Sequence, residues 1–247
     1  KVTKWDDKNL NILIPMAGEG SRFKDAGYTF PKPLIEVDGQ PMFVRALESC
    51  KIPGAELNRI AFIISDVHNK RYNLAERIRE HYPTAIIESL AETTEGAACT
   101  VLKMAPIFDK KGCMQQPCMI ANCDQIIETS ADAWQLQADG LVTCFPATHT
   151  KWSYARTEGT RIVEVAEKRP ISEWATAGSY YWSTAHAMFD AMQQMIDAND
   201  RTNNEFYVCP SINYNIAQGE QWHIVEVDAM HGLGTPEDLQ AYVENST

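Results

Sequence analysis

The sequence predicts an α/β protein, a single domain built on a Rossmann-like, doubly wound mixed sheet. Over about the first 145 residues, apolar runs of strand length alternate with helical patterns, as in a parallel sheet with crossover helices. The later residues change to a mixed pattern of strands and helices, which we expect to lie against the same sheet and to face the substrate. The chain has 247 residues, of which 45% are hydrophobic and 22% charged, and this composition is typical of a soluble globular domain.

The individual elements follow from local composition. In the first half, apolar runs predict buried strands at 11–16, 59–65, 85–89, 117–123 and 140–147. Between them, helices are predicted at 41–49, which begins with a proline, at 68–82, which is amphipathic, and at 96–104. In the second half, strands are predicted at 161–167, 177–182 and 222–227, and a helix at 184–198. A last helix is predicted to begin at Thr235, as N-cap, with Asp238 at the capping-box position.

Charge and cysteine content exclude several classes of protein. The net charge of −11 argues against non-specific binding to nucleic acid or to an anionic membrane, and no apolar run reaches the ~18 residues of a membrane span. The odd number of cysteines and their spacing fit neither a disulfide framework nor a metal cluster, so we expect reduced core thiols in a cytoplasmic protein. These seven residues are Cys50, Cys99, Cys113, Cys118, Cys123, Cys144 and Cys209.

A glycine-rich loop follows the first predicted strand. It reads Met16-Ala17-Gly18-Glu19-Gly20-Ser21-Arg22. Glycines let backbone N–H groups approach phosphates closely, but the spacing is neither that of a dinucleotide-binding loop nor that of a P-loop. Arg22 follows Gly20 by two positions, and Lys32 comes soon afterwards in a Pro-Lys-Pro-Leu run. Two cations beside such a loop predict a phosphate-binding site.

An aspartate ends another predicted strand. Asp124 follows the apolar run Met119-Ile120-Ala121, and ligands in open α/β sheets lie at the carboxyl ends of the strands. One or two carboxylates, completed by phosphate oxygens and waters, suit Mg²⁺. The alternative interpretation of Asp124 is a turn or helix-capping residue at the end of a strand.

These segments resemble, in order, the motifs of the sugar-1-phosphate nucleotidyltransferase family. The loop and the run after it resemble its GxGxR…PKPL signature, and the matches extend from about residue 11 to residue 240. The other matching segments are Thr94-Glu95-Gly96-Ala97, Ala121-Asn122-Cys123-Asp124-Gln125, Glu167-Lys168, 175–181, Glu205-Phe206-Tyr207 and Gly234-Thr235-Pro236-Glu237-Asp238-Leu239. The run 149–155 and the Asn-x-Asp-Gln form resemble a subgroup tied to capsule and surface-polysaccharide genes.

The resemblance implies a nucleotide-binding half at about 11–145, an acceptor-binding half at about 146–247, and Mg²⁺ as cofactor. The implied catalytic residues are Arg22, Lys32, Asp124 and Lys168. The implied nucleotide-binding residues are Met16, Ala17, Gly18, Glu19, Gly20, Ser21, Gly96 and Asn122. The implied acceptor-binding residues are Lys151, Trp152, Gly178 and Glu205. Each of three residues also has a purely structural interpretation. Gly96 could simply begin a helix, Trp152 could be a half-buried packing residue, and Glu205 could be a carboxylate in the first turn of a helix.

The second metal ligand is where the sequence departs from the family. Members usually carry an aspartate just before the final Gly-Thr, and that position is Gly232 in this chain. Asp228, a few residues upstream, is the candidate replacement, and a single carboxylate together with the triphosphate is the alternative.

The implied reaction joins a nucleoside triphosphate to a phosphorylated acceptor, most simply a sugar 1-phosphate, and releases pyrophosphate by in-line displacement. One rival keeps the chemistry but joins CTP to phosphocholine or another phosphorylated amine, because Trp152, Tyr154, Trp174, Tyr180, Tyr181 and Glu205 offer partners for a cation. A second rival is a regulatory nucleotide-binding protein, for which the missing aspartate at Gly232 is the only support. Members of the family are often dimeric or larger, so the resemblance is compatible with a homo-oligomer.

Overall fold

A computed structural model describes residues 9–134 and 137–246. Within them, a sheet of nine strands runs through both halves of the chain, in the order β5-β4-β1-β6-β11-β8-β12-β10-β9. The strands are β1 Leu10–Met16, β2 Glu36–Val37, β3 Gln40–Pro41, β4 Leu57–Ser65, β5 Ile86–Leu90, β6 Cys118–Ala121, β7 Gln125–Glu128, β8 Gly140–Pro146, β9 Ser153–Glu158, β10 Arg161–Glu167, β11 Trp174–Trp182, β12 Trp222–Glu226 and β13 Ala229–Gly232. The pairs β2–β3 and β7–β13 lie outside the large sheet.

Strand direction changes where the second half of the chain joins the sheet. Strands β5, β4, β1 and β6 are parallel, as the strand–helix alternation predicts. β11 is antiparallel to β6 and to β8, whereas β12 is parallel to β8. The sheet is therefore mixed, and the predicted fold class is confirmed.

Helices cover both faces of the sheet. They are α1 Ser21–Asp25, α2 Met42–Cys50, α3 Asp66–Tyr72, α4 Leu74–His81, α5 Ala97–Leu102, α6 Ala105–Lys110, α7 Ala185–Asp197, α8 Ile212–Ala217 and α9 Pro236–Asn245. Alternate residues of β1 enter different cores: Leu13 packs with residues of α5, α6 and α7, while Ile12 and Ile14 pack with residues of α2 and α4. This two-sided burial explains why the parallel strands are continuously apolar.

The prediction of one helix at 68–82 is wrong. Asn73 adopts a left-handed conformation, with φ of 52°, which ends α3 and begins α4. The side chain of Asn69 accepts a hydrogen bond from the backbone N–H of Ala75 at 2.9 Å and so stabilises the start of the second helix. Asparagine tolerates this backbone region better than most residues, and amphipathic periodicity alone does not reveal such a break.

The last helix begins as predicted. Thr235 is the N-cap of α9, and its side chain accepts a hydrogen bond from the backbone N–H of Asp238 at 3.1 Å. Sequence analysis missed the strands β2, β3, β7, β9 and β13 and the helices α1, α6 and α8, which are short or carry polar residues. Across the parts of the chain that the structure describes, we find no helix with the length and apolar character needed to cross a bilayer.

Candidate active site

The glycine-rich loop borders a cavity of about 710 Å³ at the carboxyl end of β1. Gly20 has a φ of 63° and stands at the start of α1, where a Cβ would lie 3.6 Å from that of Lys32. All eight predicted nucleotide-binding residues line this cavity, which we call the nucleotide cavity: Met16, Ala17, Gly18, Glu19, Gly20, Ser21, Gly96 and Asn122.

A smaller cavity of about 300 Å³ adjoins the first, and we call it the acceptor cavity. Lys32, Asn122 and Asp124 line both cavities, while Arg22 lines only the smaller one. Three of the four predicted acceptor-binding residues are in its wall: Lys151, Trp152 and Gly178. The structure therefore brings the cations and the aspartate to the junction between two adjacent cavities.

An ion pair holds that junction together. The Lys32 Nζ atom donates to Asp124 Oδ2 at 3.0 Å, and both side chains are about a quarter exposed, at 26% and 29%. The negative charge of Asp124 raises the pKa of Lys32, so this lysine stays protonated over the whole working pH range. The backbone of Asp124 is also held in place, because its carbonyl accepts a hydrogen bond from the backbone N–H of Leu233 at 2.7 Å.

Two glycines near the site are required by close packing. Gly96 has a φ of 143°, and a Cβ there would lie 2.4 Å from the backbone oxygen of Phe206. Gly178 has a φ of 93°, and a Cβ there would lie 2.5 Å from Oε1 of Gln125. Gly96 therefore joins the start of α5 to the segment around Phe206, in addition to lining the nucleotide cavity.

A buried polar network forms the floor of the acceptor cavity. The hydroxyls of Ser153, Thr176 and Tyr180 hydrogen-bond to one another, with 2.9 Å between those of Thr176 and Tyr180. Glu167 adjoins this network through Ser153, and burial raises the pKa of its carboxyl to about 7, against an opposing effect of the Lys168 charge. Sequence analysis placed Glu167 in a family motif but had no signal for its burial.

The raised pKa of Glu167 predicts a pH dependence of stability. In the unfolded chain this carboxyl ionises near 4.5 and in the folded chain near 7, so the folded state binds more protons between these values. Stability should therefore fall as pH rises through this window, by up to about 3 kcal/mol. We expect Glu167→Gln to remove this loss, measured as the free energy of unfolding by urea at pH 5 and pH 8.

The control for that experiment is Glu164→Gln. It removes a carboxylate that is 39% exposed on the same strand, β10, and paired with Arg156. If Glu164→Gln flattens the pH dependence as much as Glu167→Gln does, burial of Glu167 is not its source.

The 149–152 loop meets the start of α9 at the mouth of the acceptor cavity. The Lys151 Nζ atom lies 3.6 Å from Asp238 Oδ2 and 4.7 Å from the centroid of the Trp152 ring. The ring packs edge-on against Phe145, with centroids 5.4 Å apart. A Cβ at Gly232 would lie 3.1 Å from this ring, so the tryptophan covers the position at which the family resemblance led us to expect a second aspartate.

The structure does not bring Asp228 to the site. β7 and β13 pair antiparallel, with Gly232 opposite Gln125 and Ala229 opposite Glu128. Asp228 thus lies beyond the far end of this ladder, roughly 17 Å along the strands from Asp124. The expectation that Asp228 replaces the missing metal ligand is corrected: its backbone N–H instead donates to the carbonyl of Glu128 at 2.7 Å.

Glu205 lies elsewhere than expected, and Lys168, predicted to be catalytic, is in the wall of neither the nucleotide cavity nor the acceptor cavity. Glu205 is exposed and lines the nucleotide cavity rather than the acceptor cavity. The Tyr207 hydroxyl donates to Glu205 at 2.7 Å, and the Lys168 Nζ atom lies 5.0 Å from the centroid of the Tyr207 ring. Tyr207, which was not predicted as a site residue, lines both cavities. Through it, Glu205 and Lys168 are both in contact with the wall of the site.

Asp124 is suited to Mg²⁺. Its carboxylate faces the cavity junction, and a cation, the ammonium of Lys32, already lies 3.0 Å from one of its oxygens. Among residues 9–134 and 137–246, no group of three or more His, Cys, Asp or Glu side chains could hold a metal without other ligands. A metal held here would therefore need phosphate oxygens or waters to complete its coordination, as is usual for Mg²⁺.

Comparison with known proteins decides the family. The family model described as "Nucleotidyl transferase" matches residues 12–239, nearly the whole chain. The protein belongs to the nucleotidyl transferase family. As an enzyme of this kind it acts on a nucleoside triphosphate and a phosphorylated substrate.

Relatives of this nucleotidyltransferase differ in the acceptor that their names state. A 2-aminoethylphosphonate cytidylyltransferase of Lancefieldella rimae is 26% identical over 95% of this chain and 92% of its own length. The crystal structure of a nucleoside-diphosphate-sugar pyrophosphorylase of Vibrio cholerae is 25% identical, with a TM-score of 0.79, over 94% of this chain and 99% of that one. The fold is also shared by an inositol-1-phosphate CTP transferase of T. maritima. It is 12% identical, with a TM-score of 0.71, over 96% of this chain and 94% of that one.

Proposed function

We propose that this nucleotidyltransferase joins the CMP group of CTP to a small phosphate or phosphonate that carries an amino group, and releases pyrophosphate. The observation that carries the proposal is the wall of the acceptor cavity. It combines the carboxylates of Glu167 and Asp238 with the rings of Trp152, Tyr180 and Tyr207. Carboxylates and aromatic faces together favour a cationic ligand.

The size of the acceptor cavity supports the same substrate class. Its volume is about 300 Å³, less than half that of the nucleotide cavity at about 710 Å³. A compact acceptor would fill it, with the anionic end at the junction beside Arg22 and Lys32 and the cationic end against the carboxylates.

The junction suits an in-line displacement at the α-phosphorus of the nucleotide. An oxygen of the acceptor attacks this phosphorus, the new P–O bond forms, and the bond to pyrophosphate breaks. Because the attacking oxygen is already anionic at neutral pH, catalysis rests on positioning and on neutralising charge. In our proposal Lys32 neutralises charge at the α-phosphate, and the loop amides hold the β- and γ-phosphates. Arg22, which lines only the acceptor cavity, holds the anionic end of the acceptor. Asp124 would hold Mg²⁺, which supplies further neutralisation of the triphosphate.

The choice of CTP rests on the relatives. The curated relative that aligns with 95% of this chain carries both a cytidylyl donor and an aminated phosphonate acceptor in its name. Arg22, Lys32 and Asp124 all line a second cavity next to the nucleotide cavity. This charged second cavity argues against the regulatory alternative, because a protein that only binds nucleotide does not need one.

A sugar 1-phosphate is the second candidate acceptor. It is favoured by the Vibrio cholerae structure, whose name states a nucleoside-diphosphate-sugar pyrophosphorylase. The hydroxyl network of Ser153, Thr176 and Tyr180 beside the cavity supplies groups that can hydrogen-bond to sugar hydroxyls. The association with capsule or surface-polysaccharide synthesis, the cytoplasmic location and a homo-oligomeric state stay predictions.

A panel of substrates tests the proposal. Pyrophosphate release would be measured with Mg²⁺ and each of CTP, UTP, dTTP, GTP and ATP, against 2-aminoethylphosphonate, phosphocholine, phosphoethanolamine and several sugar 1-phosphates. We expect the highest kcat/KM for CTP with an aminated acceptor. A higher kcat/KM for any sugar 1-phosphate would overturn the proposal and support the second candidate.

A further inference from the structure

We infer that Asp238 and the face of Trp152 form an ammonium-binding subsite at the mouth of the acceptor cavity, and that Asp238 is the residue that selects aminated acceptors. This inference deepens the proposed function and rests on it. In the described structure the subsite is filled by the chain's own ammonium, the Nζ atom of Lys151.

The position of Lys151 shows what the subsite binds. Its Nζ atom lies 3.6 Å from Asp238 Oδ2 and 4.7 Å from the centroid of the Trp152 ring. These are the two partners, an anion and an aromatic face, that stabilise an alkylammonium. The Lys151 side chain is 43% exposed and that of Asp238 is 31% exposed, so solvent reaches the pair and a soluble amine can replace the lysine.

Two backbone features fix the subsite. Asp238 is held at the first turn of α9, because its N–H donates to the hydroxyl of Thr235 at 3.1 Å. Trp152 is held from the other side by Phe145, and its backbone oxygen accepts a hydrogen bond from Lys168 at 3.0 Å. The absence of a side chain at Gly232 leaves room for the ring, since a Cβ there would lie 3.1 Å from it.

The ammonium-binding subsite and the cations at the junction lie in the wall of the same cavity. Asp238, Trp152 and Lys151 line the same cavity as Arg22 and Lys32. An acceptor with a phosphonate at one end and an ammonium at the other can thus place its anion at the cationic junction and its cation against Asp238. Glu167, the other carboxylate of this wall, lies beside the hydroxyl network, and its pKa is raised by burial. Asp238, by contrast, already has an ammonium beside it.

The test compares an amine with its uncharged isostere. KM for 2-aminoethylphosphonate would be measured with CTP, and propylphosphonate, in which a methyl group replaces the ammonium, would be used as a competitive inhibitor. We expect Asp238→Asn to raise KM for the amine about tenfold or more while Ki for propylphosphonate changes much less. The matched control is Glu237→Gln, which removes an exposed carboxylate from the same turn of α9 and should leave both constants as in the wild type.

A second variant tests the self-occupied state. Lys151→Met removes the competing ammonium, so KM for 2-aminoethylphosphonate should fall about threefold, with little change in Ki for propylphosphonate. A rise in both constants would overturn the inference, because it would mean that Lys151 holds the phosphonate instead.

The remaining outcomes separate the inference from the function on which it rests. If Asp238→Asn raises KM and Ki by the same factor, or if it changes only the Mg²⁺ concentration needed for activity, Asp238 is not an ammonium ligand and the inference alone fails. If the wild-type enzyme releases pyrophosphate only with sugar 1-phosphates, the proposed function fails and the inference falls with it.

Discussion

Lys32→Ala is expected to lower kcat/KM for nucleotidyl transfer by about 10³-fold. Lys32 lines both cavities, and its ammonium lies 3.0 Å from the carboxylate of Asp124. In our account this ammonium neutralises the charge on the oxygens of the α-phosphate in the transition state, and its loss removes that stabilisation. Steady-state pyrophosphate release with the best substrate pair from the panel measures the effect.

Lys24→Ala is the control for this loss of activity. Lys24 is an exposed lysine of α1, the helix that follows the glycine-rich loop, and it lines neither the nucleotide cavity nor the acceptor cavity. Its removal changes net charge equally and should alter kcat/KM less than about threefold. If Lys32→Ala, folded as judged by its thermal transition, retains more than a tenth of wild-type kcat/KM, Lys32 is not the catalytic cation.

Gly96→Ala is expected to destabilise the protein by about 3 kcal/mol or more. The φ and ψ of Gly96, 143° and 170°, lie in a region that is essentially restricted to glycine. The added methyl group would also meet the backbone oxygen of Phe206 at 2.4 Å and its nitrogen at 2.6 Å. Because these are backbone atoms, a side-chain rotation cannot relieve the contact, and the start of α5 must separate from the Phe206 segment. Urea denaturation measures the loss.

Gly18→Ala provides the comparison within the same cavity. A Cβ at Gly18 would have no heavy atom within 4 Å, and this glycine is not among those with positive φ. We expect its free energy of unfolding to stay within about 0.5 kcal/mol of the wild type. Equal losses for the two variants would show that the Phe206 contact does not explain the requirement for glycine at position 96.

Site residues that belong to short local motifs could be predicted from the sequence. The loop around Gly18 and Gly20, the cation Lys32 and the strand-end Asp124 meet at one edge of the sheet because the carboxyl ends of parallel strands converge there. The N-cap at Thr235 was predictable for a similar reason, since its hydrogen bond spans only three residues.

Features that depend on distant contacts were not predictable. Asp228 was a reasonable candidate for the metal ligand because it lies only four residues before Gly232 in the sequence. The pairing of β7 with β13 places it at the opposite end of these two strands from Asp124. The pairing of Lys151 with Asp238 joins residues 87 positions apart, and the burial of Glu167 depends on strands from other parts of the sheet. Composition and periodicity carry no information on such pairings, because they are fixed by tertiary packing.

The central claim is that this cleft transfers a nucleotidyl group to an aminated phosphate or phosphonate. Its most direct measurement is a ³¹P NMR spectrum of wild-type enzyme incubated with CTP, Mg²⁺ and 2-aminoethylphosphonate. We predict equal amounts of pyrophosphate and of a product in which the phosphonate and the α-phosphate of CMP are coupled through a shared oxygen. A spectrum that keeps the phosphonate signal unchanged, under conditions in which a sugar 1-phosphate is consumed, would contradict the account.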